Sequence, residues 1–248
     1  MIRSRLLAAL GIVFINGAVS YGAVSYSYVT DSPTYSANAA GQSLTVKVYL
    51  DETLTAGSTS LLTEGSPNGL VGAGFYAVET GGSGAAISAI TANANSSTAT
   101  TDPGFNVAGS APTVSSSVAG DGSAARLLES DNSFPGPTGL PTAFGRQVFL
   151  GTLNILSGPS GSTTTYTLKT YVNAPTSLGG SAQDSNTVTY EFNDLDVTNN
   201  GGSPPPAYTG ADSGPFQTFA VTTTPEPSSL MLGGLAVGGL LIRRRKAR

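Results

Sequence analysis

From Ser43 to Leu50 the chain alternates apolar and polar residues without a break, and no other feature limits its fold as much. Leu44, Val46, Val48 and Leu50 fall on one side of an extended chain, with Thr45, Lys47 and Tyr49 on the other. That period of two belongs to a strand with one face in a core. Thr163 to Val172 repeats it, with Tyr166, Leu168 and Val172 opposite Thr165, Thr167, Lys169 and Tyr171. Thr187 to Phe192 sets Val188, Tyr190 and Phe192 on one side. Further strands are expected at 24–30, 69–79, 85–91, 146–156 and 216–222. Turn sequences such as Gly158-Pro159-Ser160-Gly161 and Gly179-Gly180 separate them.

About eight strands with little helix predict an antiparallel sandwich. A β-solenoid would need a fixed repeat period, and none is present. Composition agrees. Gly accounts for 32 of 248 residues, and such chains make poor helices. Charged residues are 10%, against about 25% in an average soluble domain. The stretch 93–121, rich in Ser, Thr, Ala and Gly, gives no strand signal, and 199–215, with Pro204-Pro205-Pro206, reads as an extended loop.

Both ends are set apart from this body. Arg3 and Arg5 precede a ten-residue apolar run, Leu6 to Ile15. Small residues follow at signal-peptidase spacing, Ala18-Val19-Ser20 or Ala23-Val24-Ser25. Residues 1–25 are therefore expected to be a signal peptide. At the other end Pro225-Glu226-Pro227 leads into an uncharged run, Ser228 to Ile242, and then into Arg243-Arg244-Arg245-Lys246-Ala247-Arg248. The run makes roughly 22 Å of helix, short for a hydrocarbon core of about 30 Å. Snorkelling arginines and local thinning cover the difference. The basic cluster stays cytoplasmic by the positive-inside rule, which puts the body across the membrane.

The organisation expected is a signal peptide at 1–25, an extracellular domain at 26–221, a spacer with the Pro-Glu-Pro at 222–227, and a span with its basic end at 228–248. The fold class expected is all-β, an antiparallel β-sandwich, with an N-terminal signal helix and a C-terminal single transmembrane helix.

Charge and missing residue types exclude several functions. With neither Cys nor His, the chain has no thiolate nucleophile, no disulfide and no imidazole base or ligand. Residues 26–226 hold four bases (Lys47, Arg126, Arg146 and Lys169) against all 15 acids, a formal charge of −11. Such a body repels phosphates, so no nucleic acid partner is expected. There is no Gly-x-Ser-x-Gly elbow. Paired carboxylates hydrolyse glycosides without His, but Asp51, Glu52, Glu64, Glu79, Glu129 and Asp131 show no spacing that singles out a pair. No catalytic residue is expected and the chain is read as a non-enzyme.

No cofactor is expected, and calcium is the better metal candidate, since it takes oxygen ligands only. Asp194 and Asp196 lie two apart on one side of an extended chain, and Asp121, Asp131 and Asn132 form a second oxygen-rich stretch. Neither meets the EF-hand loop pattern. Tyr49, Tyr171 and Tyr190 lie in strands where they face either a core or a sugar.

The order of Pro-Glu-Pro, short apolar span and terminal Arg cluster resembles the PEP-CTERM sorting signal of bacterial exported proteins. Such tails are also named after ice-binding proteins that carry them, without implying ice binding. The resemblance implies an exosortase-type partner that recognises Pro225, Glu226 and Pro227 and removes or transfers the tail. It makes Arg243, Arg244, Arg245 and Lys246 the stop signal. It also implies an exported chain, membrane-anchored through its C-terminus before processing and then at the cell surface or extracellular. In the body, Gly41 to Leu50, Gly72 to Tyr76 and Val148 to Ile155 resemble the strands of cohesin-like and carbohydrate-binding sandwiches, an Ig-like or jelly-roll architecture. The function expected is a non-catalytic surface or matrix protein. The alternatives are a module binding extracellular polysaccharide or protein and, third, a carboxylate glycoside hydrolase.

Overall fold

Alternation does produce the strands it predicts. The computed structural model describes residues 24–54, 60, 62, 70–106, 111–130, 137–170, 190–192 and 217–225. Among them are β1 (Val24–Thr30), β2 (Thr34–Ala37), β3 (Ser43–Leu54), β4 (Leu70–Gly82), β5 (Ala86–Ala92) and β6 (Thr113–Val118). There follow β7 (Ala124–Ser130), β8 (Leu140–Pro141), β9 (Gly145–Leu156), β10 (Thr163–Thr170), β11 (Tyr190–Phe192) and β12 (Thr218–Thr223). The described residues contain no helix. The expected signal peptide lies outside them up to residue 23, and the expected transmembrane helix lies outside them entirely.

The strands form two sheets. One runs β1-β3-β9-β5, with β8 beside β9, and the other β2-β12-β10-β4-β7-β6, with β11 beside β4. Their facing sides share one core. Val46, Val48, Leu50, Leu153 and Ile155 come from the first sheet, and Phe75, Leu127, Tyr166, Leu168, Phe219 and Val221 from the second. Each such side chain contributes roughly 1.5–3 kcal/mol on leaving water. Aromatic contacts order the second sheet: Tyr166 stacks on Phe219 at 5.4 Å, and Tyr35 meets the same ring edge-on at 5.9 Å. The sandwich expected from sequence is present, but with more strands. β2, β6, β7 and β8 fall where none was expected.

One pairing departs from the antiparallel expectation, since β2 lies parallel to β12. The cause is local. β1 is antiparallel to β3 in the first sheet, and the chain then crosses to the second sheet through Ser32 and Pro33 without reversing. Proline has no N–H for a ladder, so the break falls there. Beyond it β2 keeps the direction of β1, which is also the direction of β12.

The strand directions sort the connections into two ends. At one end lie the turns 38–42, 83–85 and 157–162, because Ser43 pairs with Leu156, Ala86 with Leu156, and Thr164 with Gly82. The start of β1 lies at the other, since Val24 pairs with Leu54.

Candidate functional site

The segment with the sharpest sequence signature leaves the sandwich at the end built by those three turns. β12 is held on both sides, antiparallel to β10 through Thr163–Thr167 and parallel to β2 through Thr34–Ala37. Phe219, Val221 and Thr223 point inward and are buried, while Thr218, Ala220 and Thr222 are more open. Beyond the strand, Thr224 donates to the Ala37 carbonyl twice, from N–H at 2.8 Å and from Oγ1 at 3.1 Å. Thr223 N–H donates to Ser162 O at 2.9 Å, and Gly161 N–H donates to Thr223 O at 2.7 Å. Pro225 follows at once and is exposed. The spacer expected at 222–227 is thus shorter than the sequence suggested. Thr222 and Thr223 complete a sheet, because their backbone groups have partners on both sides.

The turns around this exit are bonded to one another. Ser157 Oγ donates to Ala39 O at 2.7 Å and accepts from Gln42 N–H at 2.9 Å. On the backbone, Gly41 N–H donates to Ser157 O and Ser157 N–H donates to Gln42 O, both at 2.9 Å. Tyr166 Oη reaches across the core to donate to Ala85 O at 2.8 Å, and Ala85 N–H donates to Thr164 Oγ1 at 3.1 Å. Gly82 has φ +77°, and a Cβ there would fall on the Thr163 carbonyl oxygen. Only glycine tolerates both conditions.

The family described as the PEP-CTERM protein-sorting motif matches residues 223–246. The chain carries a PEP-CTERM sorting motif. The match begins inside β12, so motif and body share Thr223. The motif marks an exosortase-targeted, exported surface protein whose C-terminal tail is membrane-anchored before processing. Among the described residues no helix is long and apolar enough to cross a membrane. Glu226, Pro227, the run 228–242 and Arg243, Arg244, Arg245 and Lys246 lie outside them. No curated protein matches the chain. Among solved structures, the third cohesin ScaC of Acetivibrio cellulolyticus, in complex with the ScaB dockerin, is similar with a TM-score of 0.35 at 10% identity. The likeness covers 58% of this chain and 80% of that one.

The other candidates lie elsewhere. Asp194, Asp196, Glu64, Asp131, Asn132 and Tyr171 are outside the described residues, and Tyr190 is placed only as part of β11. Asp121 sits in the turn before β7, where its Oδ1 accepts from Ser123 N–H at 3.0 Å and Oγ at 2.7 Å. Those bonds hold its carboxyl below the ordinary range. Among the described residues no three acidic side chains converge as a metal site would require.

Tyr49 lies on the outer face of the first sheet, as the alternation predicts, yet it is only 8% exposed. Phe149 on β9 packs against it at 5.3 Å, and Lys47 Nζ lies 5.2 Å from the Phe149 ring while bridging to Asp102 at 3.1 Å. The loop bearing Asp102 is pinned by Asn93, whose Nδ2 donates to the carbonyls of Asp102, Pro103 and Phe149.

The acids separate by sheet. Glu52 on β3 is fully buried and accepts from Tyr26 Oη at 3.0 Å. Glu129 on β7 is also fully buried and accepts from Asn93 N–H at 2.9 Å. Its Oε2 has no partner among the described residues. Burial raises its pKa from 4.5 to about 8, with the Asn93 bond opposing only in part. Asp51 is raised as well, by burial and then by the Glu52 charge. Nothing in the sequence singles out the Glu129 pairing, because its partner is a backbone amide 36 residues away, just past the end of β5.

Proposed function

We propose that this chain is a non-catalytic component of the cell surface or extracellular matrix, exported by its N-terminal signal and delivered by its sorting tail. The observation that carries the proposal is the PEP-CTERM motif at 223–246, continuous with the last strand of a sandwich. In this reading the N-terminal signal is removed on export. The run 228–242 halts in the membrane with Arg243–Arg245 on the cytoplasmic side, and an exosortase-type enzyme acts at Pro225-Glu226-Pro227. The product delivered is the acidic body.

Two observations support the absence of catalysis. Glu52 and Glu129 are fully enclosed, where no substrate reaches them. A glycosidase needs two carboxyls flanking an open bond, whereas these two bond to different partners in different sheets.

Deleting 225–248 and following the body by cell fractionation tests the proposal. Loss of the membrane-associated precursor and altered surface delivery are the expected results, and an unchanged distribution would refute it.

A second reading, a module binding polysaccharide or protein, is favoured by the partly exposed Phe149 beside Tyr49 and Lys47. A polysaccharide pull-down with residues 24–225, with and without Phe149→Ala, separates the two. Retention that depends on Phe149 supports the module.

A further inference from the structure

Where the tail leaves the sandwich determines which surface lies nearest the membrane. Among the described residues Thr224 is the last one bonded to the body, through Ala37. The uncharged run begins at Ser228. Three residues, two of them proline, separate the two points. Thr224 to Ser228 is four steps of the chain and spans at most about 14 Å fully extended, so the end of the sandwich stays within roughly that distance of the span.

That end differs from the rest of the body in charge. Residues 36–43, 81–86, 156–163 and 222–225 contain no charged side chain. Asp121 is exposed in the turn before β7, which packs on Ala86 and Ile87 at the same end, and Glu226 lies in the tether. The stretch 26–226 as a whole carries a formal −11. An anionic leaflet repels such a body over a Debye length of about 8 Å. Three uncharged turns around the exit lessen that repulsion at close range. Its exposed residues include Ala40, Pro159 and Leu156, the last 40% exposed. The hydrogen bonds among Ala37, Ala39, Gln42, Ser157, Gly161 and Ser162 hold the turns together as one surface. The start of β1 lies at the opposite end, so removing the signal peptide leaves no tether there.

We infer that the end formed by the turns 38–42, 83–85 and 157–162 is the membrane-facing surface of the anchored chain. It rests on the lipid headgroups with the strands running away from the bilayer. This rests on the tail-anchored reading above. The occupant is a lipid surface because the tether reaches the bilayer in three residues and the three turns around the exit lack charge.

The chain has no cysteine, so a single introduced one is a unique label site. Full-length protein carrying Ser160→Cys, in the 157–162 turn, or Ala143→Cys, in the exposed turn before β9, is labelled with an environment-sensitive fluorophore. It is then reconstituted into phosphatidylethanolamine and phosphatidylglycerol vesicles bearing a headgroup quencher. β9 alone spans roughly 36 Å, so quenching at Ser160→Cys should exceed that at Ala143→Cys about threefold or more. A flexible Gly-Ser insert of about 12 residues between Thr224 and Pro225 adds roughly 20 Å of reach and should abolish the difference.

Vesicle flotation of the same samples checks the anchoring separately. A chain that does not float overturns the tail-anchored reading. A chain that floats with equal quenching at both positions overturns the orientation. A difference that survives the insert overturns the tether as its cause. Shielding of Ser160→Cys only after co-reconstitution with an exosortase-type enzyme would assign the surface to the enzyme and overturn the lipid assignment.

Discussion

Replacing Glu129 by Gln should remove most of a pH dependence that the fold builds into its own core. In the folded protein the Glu129 carboxyl is enclosed between the sheets and titrates at about 8, against an ordinary 4.5 once unfolded. Below 4.5 both states are protonated and the group adds no pH dependence. Between 4.5 and about 8 the unfolded chain releases the proton while the folded one keeps it. Stability therefore falls as pH rises, by up to about 1.4 kcal/mol per pH unit and roughly 5 kcal/mol over the window. Between pH 5 and pH 8 the loss is roughly 3.5 kcal/mol, and at roughly 2–4 °C per kcal/mol for a body of this size the melting temperature should drop by about 7–14 °C.

Glu129→Gln keeps an oxygen for the Asn93 amide and has no charge to lose. Near pH 5 it should melt close to the parent, because a protonated carboxyl and an amide present similar groups to the same site. Near pH 8 it should melt higher. Asp51 is shifted in the same direction by its own burial, so the difference between the two curves is the quantity to read. Scanning calorimetry of residues 24–225 across this pH range provides it. Parallel parent and variant curves would refute the assignment of the pH dependence to Glu129.

Gly82→Ala should cost roughly 2–4 kcal/mol in urea denaturation, since it combines a left-handed backbone with a collision against the Thr163 carbonyl. Tyr166→Phe should cost about 1–2 kcal/mol by the same measurement. It keeps the stack on Phe219 but leaves the buried Ala85 carbonyl without its side-chain donor. A variant as stable as the parent would show that water replaces the hydroxyl at that end.

Strands with one face inward were legible from the sequence. Val24–Thr30 falls where expected, and Ser43–Leu50 opens a strand that runs on to Leu54. Strands that depart from that pattern were not. β7 carries Ala124, Ala125, Arg126, Leu127, Leu128 and Glu129 in succession, all buried, so neither face shows polar alternation. Period-two reasoning has nothing to detect there. β6 fails for the opposite reason. It is an edge strand beside β7 whose residues are exposed or half-buried, and TVSSSV then gives no strand signal. The cover over Tyr49 was not legible either, because Phe149 packs on it from a strand 100 residues away in sequence.

The sorting tail is the part of this protein that sequence determined by itself. Its recognition rests on the order of three local segments, and local order survives without knowledge of the fold. What the tail is attached to, and how closely, only the tertiary structure decided. Thr224 is fixed by a carbonyl 187 residues earlier in the chain, through a parallel pairing that exists because the chain crossed sheets at Pro33 without turning back. Hydrogen bonds between strands depend on which strands become neighbours, and that follows from packing two sheets on one core. The same packing brings three uncharged turns together around the exit and encloses Glu129 beside a backbone amide just past the end of β5.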